Sequence, residues 1–170
     1  MSNRDLSDME PLKINGWSIF AHSLFLNQFE ELLNQVELLR QKDPQNYRKK
    51  NATKRLAAIA KLVFEVIPQD PTRSEYRQGT TLGEDYKHWF RAKFFQQYRL
   101  FFRYHQISKI IVFAWVNDEN SKRAYGSKTD AYRVFQKMLE NDCPPDDWNT
   151  LLKEAKAEVN RLEKVIDTEI

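Results

Sequence analysis

The sequence predicts an α+β fold in which an antiparallel β-sheet has helices packed on one face. Two patterns lead to this prediction. Residues 89–116 form three strand-length stretches that alternate or run apolar and are joined by short polar links, as in an antiparallel meander. On both sides of this segment, hydrophobic residues recur at spacings of three and four, which is typical of amphipathic helices. The predicted order of elements is β-α-α-β-β-β-α-α.

The composition is that of a folded domain without disulfides. The chain has 170 residues, of which 41% are hydrophobic, and a net charge of +3. Its single cysteine, Cys143, excludes an internal disulfide and an all-cysteine metal cage. The start, MSNRDLSDMEPLKIN, lacks the apolar core of a signal peptide, and no stretch reaches membrane-spanning length. We therefore expect a cytoplasmic protein with no membrane contact.

The N-terminal half begins with a polar, aperiodic stretch, residues 1–13, which we predict to be a disordered tail. Residues 16–22 are apolar enough for a short strand. Ser23 can cap a first helix, which ends at Asp43-Pro44 because proline cannot continue it. A second helix is predicted from about residue 47 to 66, followed by an ordered connector.

The three central strands present cations on one face. In residues 98–104, Arg99, Phe101 and Arg103 alternate with Tyr98, Leu100, Phe102 and Tyr104, so the two sets lie on opposite faces. The preceding strand alternates in the same way, and an antiparallel link through Gln96-Gln97 allows Arg91 and Lys93 to share the face of Arg99. The strand from residue 109 to 116 is apolar on both faces, which indicates a strand covered on both sides.

The C-terminal part is predicted to be helical. After a polar loop at 117–128, Thr129 caps one helix, and Pro145 and Asp146 open a last one that runs to about Ile166. The domain is therefore predicted to span residues 14–153, with 154–170 as a helix extension or a tail.

Charge is distributed unevenly, in a pattern that favours a polyanionic partner. Residues 86–117 contain six cations and no carboxylate, although both signs occur elsewhere. A second basic cluster precedes them at the start of the predicted second helix, and it consists of Arg48, Lys49, Lys50, Lys54 and Arg55. This second cluster is either a solvated face or a docking site for RNA or the ribosome.

The motifs KFFQQYRLFFRY and IIVFAWVNDENSKRAYGSKTDAYRVFQKMLENDCPPDDW resemble the YhaV family of bacterial type II toxins, in the RelE-like superfamily. INGWSIFAHSLF and DPQNYRKKNATKRLAAI are similar to the same family. The resemblance runs from about residue 14 to 152. It implies a RelE-like sheet and a ribonuclease toxin that cleaves RNA, often messenger RNA at the ribosome. It also implies a PrlF-type antitoxin with an AbrB-like domain, and operator DNA bound through the toxin–antitoxin complex.

The resemblance also implies site residues. Arg99 is similar to a catalytic arginine of RelE-like toxins, and either Arg91 or Lys93 stands where that superfamily has catalytic lysines. Tyr132 stands near the C-terminal tyrosine of RelE, and Arg123 is the candidate for a second arginine. No cofactor or metal is implied, and the three histidines do not have the spacing of a metal site.

The residue types suit attack of the RNA 2′-hydroxyl on phosphorus. The planar fork of arginine pairs with phosphate oxygens, so Arg99 and Arg103 can stabilise the added negative charge. Phe101 can stack on a base. Either the lysine or one of the carboxylates Asp118 and Glu119 can act as acid or base.

Each candidate also has a structural interpretation. Asp118 and Glu119 can cap a turn or form ion pairs, Tyr132 can belong to the core of its helix, and the arginines can be solvated. We therefore carry two hypotheses: a metal-independent endoribonuclease toxin, and a nucleic-acid-binding or operon-regulating module without catalysis.

Overall fold

The computed structural model describes residues 10–124 and 127–168 and confirms the α+β class. Its described residues form five strands and five α-helices. The strands are β1 (Leu12–Ile14), β2 (Trp17–Ala21), β3 (Phe90–Phe94), β4 (Tyr98–His105) and β5 (Ile110–Val116). The helices are α1 (Ser23–Lys42), α2 (Asn51–Lys61), α3 (Ala131–Glu140), α4 (Trp148–Lys156) and α5 (Val159–Ile166).

The sheet is mixed and not purely antiparallel as predicted. Its strand order is β1-β2-β5-β4-β3. β3, β4 and β5 form the predicted antiparallel meander, but β2 pairs parallel with β5, with Ile19 opposite Ile111. Parallel neighbours need a long crossover connection. The chain between them, which includes α1, α2 and the β3–β4 hairpin, provides it.

Helices cover both faces of the sheet, so the prediction of one covered face is wrong. α1 and α2 pack on the face that contains Leu100, Phe102 and Phe113, and α3 and α4 pack on the face of Phe101. Phe101 and Phe102 are neighbours on β4 and point to opposite sides, where each is fully buried. The apolar sequence of β5 is consistent with this arrangement, because both faces of such a strand must be shielded from water.

The predicted start of the domain and the predicted last helix need correction. Residues 12 and 13, assigned to the tail, lie in β1, which pairs antiparallel with β2. Residues 1–9 of the predicted tail lie outside the described residues. The predicted last helix is two helices, α4 and α5, separated at Ala157-Glu158. This break lets Leu151 and Ala155 bury on the Phe101 face, while Leu162 and Val165 bury on the opposite one.

The remaining helices agree with the sequence prediction, with small differences at their ends. α1 begins after His22, whose side chain accepts a hydrogen bond from the backbone of Leu24, and ends at Lys42, with Asp43 as its C-cap. α2 continues through a wider turn at Leu62–Val66, so the helical path reaches the predicted residue 66. In the described parts of the chain, no helix is long and apolar enough to span a bilayer.

Candidate active site

The structure determines the register of the meander, which the sequence left open. Lys93 lies opposite Arg99, and Arg91 lies opposite Phe101, so Arg91, Lys93 and Arg99 emerge on one face of the sheet. Phe95, Gln96 and Gln97 join the two strands, and the φ angles of Phe95 and Gln96 are positive, 45° and 61°. Positive φ angles are common in short hairpin links, where they help to match the twist of the strands. The hairpin therefore fixes three cations side by side.

Tyr132, the second residue of α3, joins two of these cations. Its hydroxyl oxygen accepts hydrogen bonds from Nε of Arg91 at 2.8 Å and from Nε of Arg99 at 3.1 Å. All three side chains are buried. A phenol oxygen has two lone pairs and one proton. With both lone pairs engaged by the arginines, the hydroxyl proton is the part of Tyr132 left to donate.

Arg123 completes the cluster from the loop before α3. Its guanidinium carbon lies 4.6 Å from the centre of the Tyr132 ring, and its Nη1 lies 2.6 Å from Oδ2 of Asp130. Asp130 caps α3 by accepting from the backbone of Tyr132, and it also accepts from the backbone of Ala124. One carboxylate thus positions both the helix that carries Tyr132 and the arginine that lies on it.

Asp130 was absent from the sequence prediction, which placed the cap at Thr129. The signal was available, because aspartate directly before a helix is as good a cap as threonine or better. Its ion pair with Arg123 could not be read from spacing.

Asn117 was also missed, and it anchors Arg99. Its Oδ1 accepts from the backbone nitrogen of Arg99 at 2.6 Å, and its Nδ2 donates to the carbonyls of Gln97 and Ser121. The Arg99 side chain in turn donates from Nη1 to the carbonyls of Gln96 and Tyr98. The hairpin turn, the end of β5 and the arginine are therefore held as one unit.

The cluster concentrates positive charge beside a surface pocket. Arg91, Arg99 and Arg123 surround Tyr132, and Asp130 is the carboxylate that the described contacts place among them. The lining of the adjoining pocket, of about 440 Å³, includes Tyr132, Arg123 and Asp130, and also Arg133, Lys137 and Glu140 of α3. Lys93 is exposed on the strand neighbouring Arg99. Cations that crowd together with few carboxylates create an anion-binding potential.

Arg103 lies apart from this cluster. Its guanidinium carbon lies 5.4 Å from the ring centre of Trp89 and 5.2 Å from that of Trp148, and its Nη1 donates to the carbonyl of Asp146 at 2.6 Å. Burial lowers the pKa of Arg103, and the carboxylates of Asp146 and Asp147 oppose this effect. The structure thus separates Arg103 from Arg99, although both lie on the same face of β4.

Phe101 does not have the exposed face that stacking on an RNA base would need. The side chain is fully buried. Its ring stacks on Phe135 at a centroid distance of 4.3 Å and meets Trp115 and Tyr132. The prediction that Phe101 binds a base is therefore wrong, because α3 covers the strand where solvent was assumed. Phe101 instead packs edge-to-face against the ring of Tyr132.

Asp118 and Glu119 have the contacts of structural residues. Asp118 caps the short turn at Glu119–Ser121, accepting from the backbone of Asn120 and the hydroxyl of Ser121. Glu119 forms an ion pair of 3.3 Å with Arg55 of α2. The described contacts do not bring either carboxylate to Tyr132.

The basic start of the second helix also lies away from the cluster. Arg48, Lys49 and Lys50 are exposed in the short turn before α2, and Lys54 and Arg55 lie on the helix itself. α2 packs on the Phe102 face, whereas the Tyr132 cluster is on the Phe101 face. The two basic groups predicted from sequence are therefore on opposite sides of the sheet.

The histidines lie outside the cluster as well. His22 caps α1, His88 lies 2.6 Å from the carboxylate of Asp146, and His105 stacks on Trp148. Within residues 10–124 and 127–168, no group of three or more metal-ligating side chains is close enough to hold an ion.

Comparison with known proteins decides which family this fold represents. Residues 19–156 match the model of a family described as a toxin with endonuclease activity, of a toxin–antitoxin system. The chain belongs to the YhaV toxin family. The matched range contains the whole meander, α3 and every residue of the Tyr132 cluster.

Individual relatives agree with this assignment. The chain is 47% identical over 148 residues to a protein named ribonuclease toxin YhaV from Escherichia coli K12, covering 86% of this chain and 96% of the relative. Proteins named toxin YhaV from E. coli O157:H7 and O6:H1 are 47% and 46% identical over the same lengths. No solved structure matches the chain significantly.

Membership in this family confirms several expectations from the sequence. This chain is a toxin with endonuclease activity, and a toxin of a toxin–antitoxin system has an antitoxin as its partner. The alternative of a binding module without catalysis is not supported, since the family is described by its nuclease activity.

Proposed function

We propose that this toxin is an endoribonuclease that cleaves RNA at the Tyr132 cluster by metal-independent attack of the 2′-hydroxyl. The observation that carries the proposal is the convergence of Arg91, Arg99 and Arg123, from two strands and a loop, on one buried tyrosine. Assembling three like charges costs free energy, which an incoming phosphodiester offsets. The ribonuclease name of the K12 relative supports RNA as the substrate.

The contacts favour a division of roles. The scissile phosphate enters the pocket lined by Arg123 and Tyr132, where the guanidinium of Arg123 stabilises the charge that develops on the phosphoryl oxygens. The 2′-oxygen forms a bond to phosphorus, and the bond to the 5′-oxygen breaks. The Tyr132 hydroxyl donates its proton to that leaving oxygen. The products are a 2′,3′-cyclic phosphate and a 5′-hydroxyl.

Arg91 and Arg99 act through Tyr132 in this scheme. Their Nε groups hold the phenol oxygen, and their positive charges stabilise negative charge on it when the proton leaves. Lys93, exposed beside Arg99, is our candidate for the base that takes the 2′-hydroxyl proton. Arg103, Asp118, Glu119 and the basic start of α2 are left out of the scheme, because their contacts lie elsewhere.

The cellular setting is proposed with the chemistry. Messenger RNA in the bacterial cytoplasm is the substrate, either free or on the ribosome. The antitoxin is of the PrlF type with an AbrB-like domain, through which the complex binds operator DNA.

Cleavage of purified RNA in excess EDTA tests the proposal. New ends that carry 2′,3′-cyclic phosphate are expected, and an RNA with 2′-deoxy substitution at the cleaved position should remain intact. A requirement for added divalent metal, or cleavage of the 2′-deoxy substrate, would contradict the mechanism. Adding ribosomes to the same reaction shows whether they are needed.

A further inference from the structure

A second cavity lies between helices on the side of the sheet opposite the Tyr132 cluster. It is a groove of about 830 Å³ between α1, α2 and α5. Its apolar lining includes Leu33 and Val36 of α1, Leu56 of α2, Val165 of α5, and Tyr47 just before α2. The proposed chemistry uses none of these residues. An apolar groove framed by helices is a shape that accepts the apolar face of another helix.

Among the residues that the structure describes, cations outnumber carboxylates along the edge of the groove. Arg40, Arg48, Lys54 and Lys164 line it together with the carboxylates Glu30 and Glu37. Glu30 already binds Arg161 through both oxygens at 3.0 Å, and Glu37 lies 3.9 Å from Arg40. The two carboxylates are thus engaged with arginines, and Arg48, Lys54 and Lys164 give the rim an excess of positive charge.

The position of the cations before α2 also favours a partner that carries carboxylates. Arg48, Lys49 and Lys50 precede α2, and its first turn contains no acidic residue. The N-terminus of a helix carries a partial positive charge, so cations are unfavourable there and anions are favourable. The basic start of α2 therefore has an electrostatic cost that a partner with carboxylates would remove.

The lining distinguishes a protein partner from RNA. The floor is mainly aliphatic, and the guanidinium carbon of Arg48 lies 5.8 Å from the ring centre of Tyr47, the aromatic residue in the lining. Binding of single-stranded RNA depends on exposed aromatic faces for stacking. An acidic amphipathic helix matches both the aliphatic floor and the basic rim of the groove, because its apolar side chains can pack on the floor and its carboxylates can pair with the rim cations.

We propose that an acidic, amphipathic segment of the antitoxin docks in this α1–α2–α5 groove. The inference rests on the antitoxin partner that the family implies, and it does not require the proposed cleavage chemistry. Because the groove and the Tyr132 cluster lie on opposite faces of the sheet, the segment in the groove anchors the antitoxin without touching the catalytic residues.

The test uses the full-length chain and the antitoxin encoded with it, with affinity measured by calorimetry. The paired change Arg48→Glu and Lys54→Glu should weaken antitoxin binding by at least about tenfold, since it reverses rim charges. Leu33→Glu should also weaken antitoxin binding, because it places a charge in the apolar floor of the groove. Lys61→Glu is the matched control, because Lys61 is an exposed lysine at the end of α2 outside the groove and should leave the affinity within about twofold of wild type.

Cleavage of purified RNA and sedimentation are measured on the same proteins. Normal cleavage by the charge-reversed variant, with weaker antitoxin binding, supports the proposal. Unchanged antitoxin affinity would overturn it. Lost cleavage with normal antitoxin affinity would show that the groove binds RNA, and conversion of a dimer to a monomer with normal affinity would show that it binds a second copy. If wild type itself cleaves no RNA, the proposed function fails while the docking result still stands.

Discussion

Two arginines on the same face of β4 have opposite surroundings. Arg103 is enclosed by two tryptophan rings and donates to a backbone carbonyl, with Asp146 and Asp147 near its charge. Arg99 shares one phenol oxygen with a second arginine and lies near a third. Four residues of strand separate them by roughly 13 Å. The contacts of Arg103 offset its single charge. The described contacts of Arg91, Arg99 and Arg123 include one carboxylate, that of Asp130, so positive charge is in excess there.

The difference shows that the helix packed over a strand position, and not the alternation of side chains along the strand, determines which groups an arginine contacts. At one end, the start of α4 places Trp148 over Arg103. At the other end, the start of α3 places a tyrosine hydroxyl between two guanidinium groups. The predictions below test whether the second arrangement is the catalytic one.

The largest effect is expected for Tyr132→Phe. It removes only the hydroxyl, so the proposed proton donor is lost while the ring still packs on Phe101. We expect the cleavage rate to fall by about 10³-fold, which equals about 4 kcal/mol of barrier. Single-turnover cleavage of a defined RNA measures this. A rate near that of wild type would show that another group protonates the leaving oxygen.

Arg99→Lys should have the next largest effect. Lysine keeps a positive charge but cannot reproduce the hydrogen bonds of the guanidinium fork. We expect the cleavage rate to fall by about 10²-fold. The fold is checked by circular dichroism, and the same assay as for Tyr132→Phe gives the rate.

Arg103→Lys is the matched substitution at the other end of the strand. Here the planar guanidinium beside Trp89 and Trp148 and its hydrogen bond to the Asp146 carbonyl are lost, so the free energy of unfolding should drop by about 2 kcal/mol. Cleavage per folded molecule should stay within about threefold of wild type. Urea titration and the cleavage assay measure the two quantities. A loss of cleavage as large as that of Arg99→Lys would remove the distinction between the two arginines.

His22 lies beside α4, with its Nε2 3.6 Å from a carboxylate oxygen of Glu154, and its protonation makes the stability of the domain depend on pH. Burial lowers the pKa of His22, while the carboxylates of Glu154 and Glu158 oppose this effect. The unfolded chain therefore binds a proton more readily. Stability from the neutral ring is present above about pH 6.5 and is lost as the pH falls toward the lower folded pKa. His22→Asn keeps a cap for α1 and should show less of this loss between pH 7.5 and 5.5 in urea titrations; an equal loss would assign it to other groups.

The smallest effect is expected at the turn beside Arg99. Gln96 has a φ of 61°, which favours glycine, so Gln96→Gly should raise the free energy of unfolding by roughly 0.5 kcal/mol. Its carbonyl still accepts from Arg99, so cleavage should be unchanged. Gln97→Gly, at a position without positive φ, should bring no gain in thermal denaturation. A fall in cleavage for Gln96→Gly alone would show that the rigidity of the turn contributes to the site.

The sequence by itself determined the local parts of this protein. Alternation in residues 90–104 predicted the hairpin and allowed Arg91, Lys93 and Arg99 to share a face, whereas the register that pairs Lys93 with Arg99 came from the structure. Spacing placed α1, α2 and α3, and the motifs identified the YhaV family. Arg99, Arg123 and Tyr132 lie in motifs that resemble the family. Arg91 lies just before these motifs, and the sequence names it as the alternative to Lys93.

Only the tertiary structure decided what those parts do together. Strand periodicity assigns a side chain to a face but contains no information on which helix covers it. Alternation therefore predicts an exposed, base-stacking Phe101 and groups Arg103 with Arg99, whereas in the structure Phe101 is core and Arg103 lies between two tryptophan rings. The parallel pairing of β2 with β5, the link from Asp130 to Arg123, and the groove between α1, α2 and α5 all join residues that are distant in the chain. Such contacts are set by packing of the whole domain, for which local spacing has no signal.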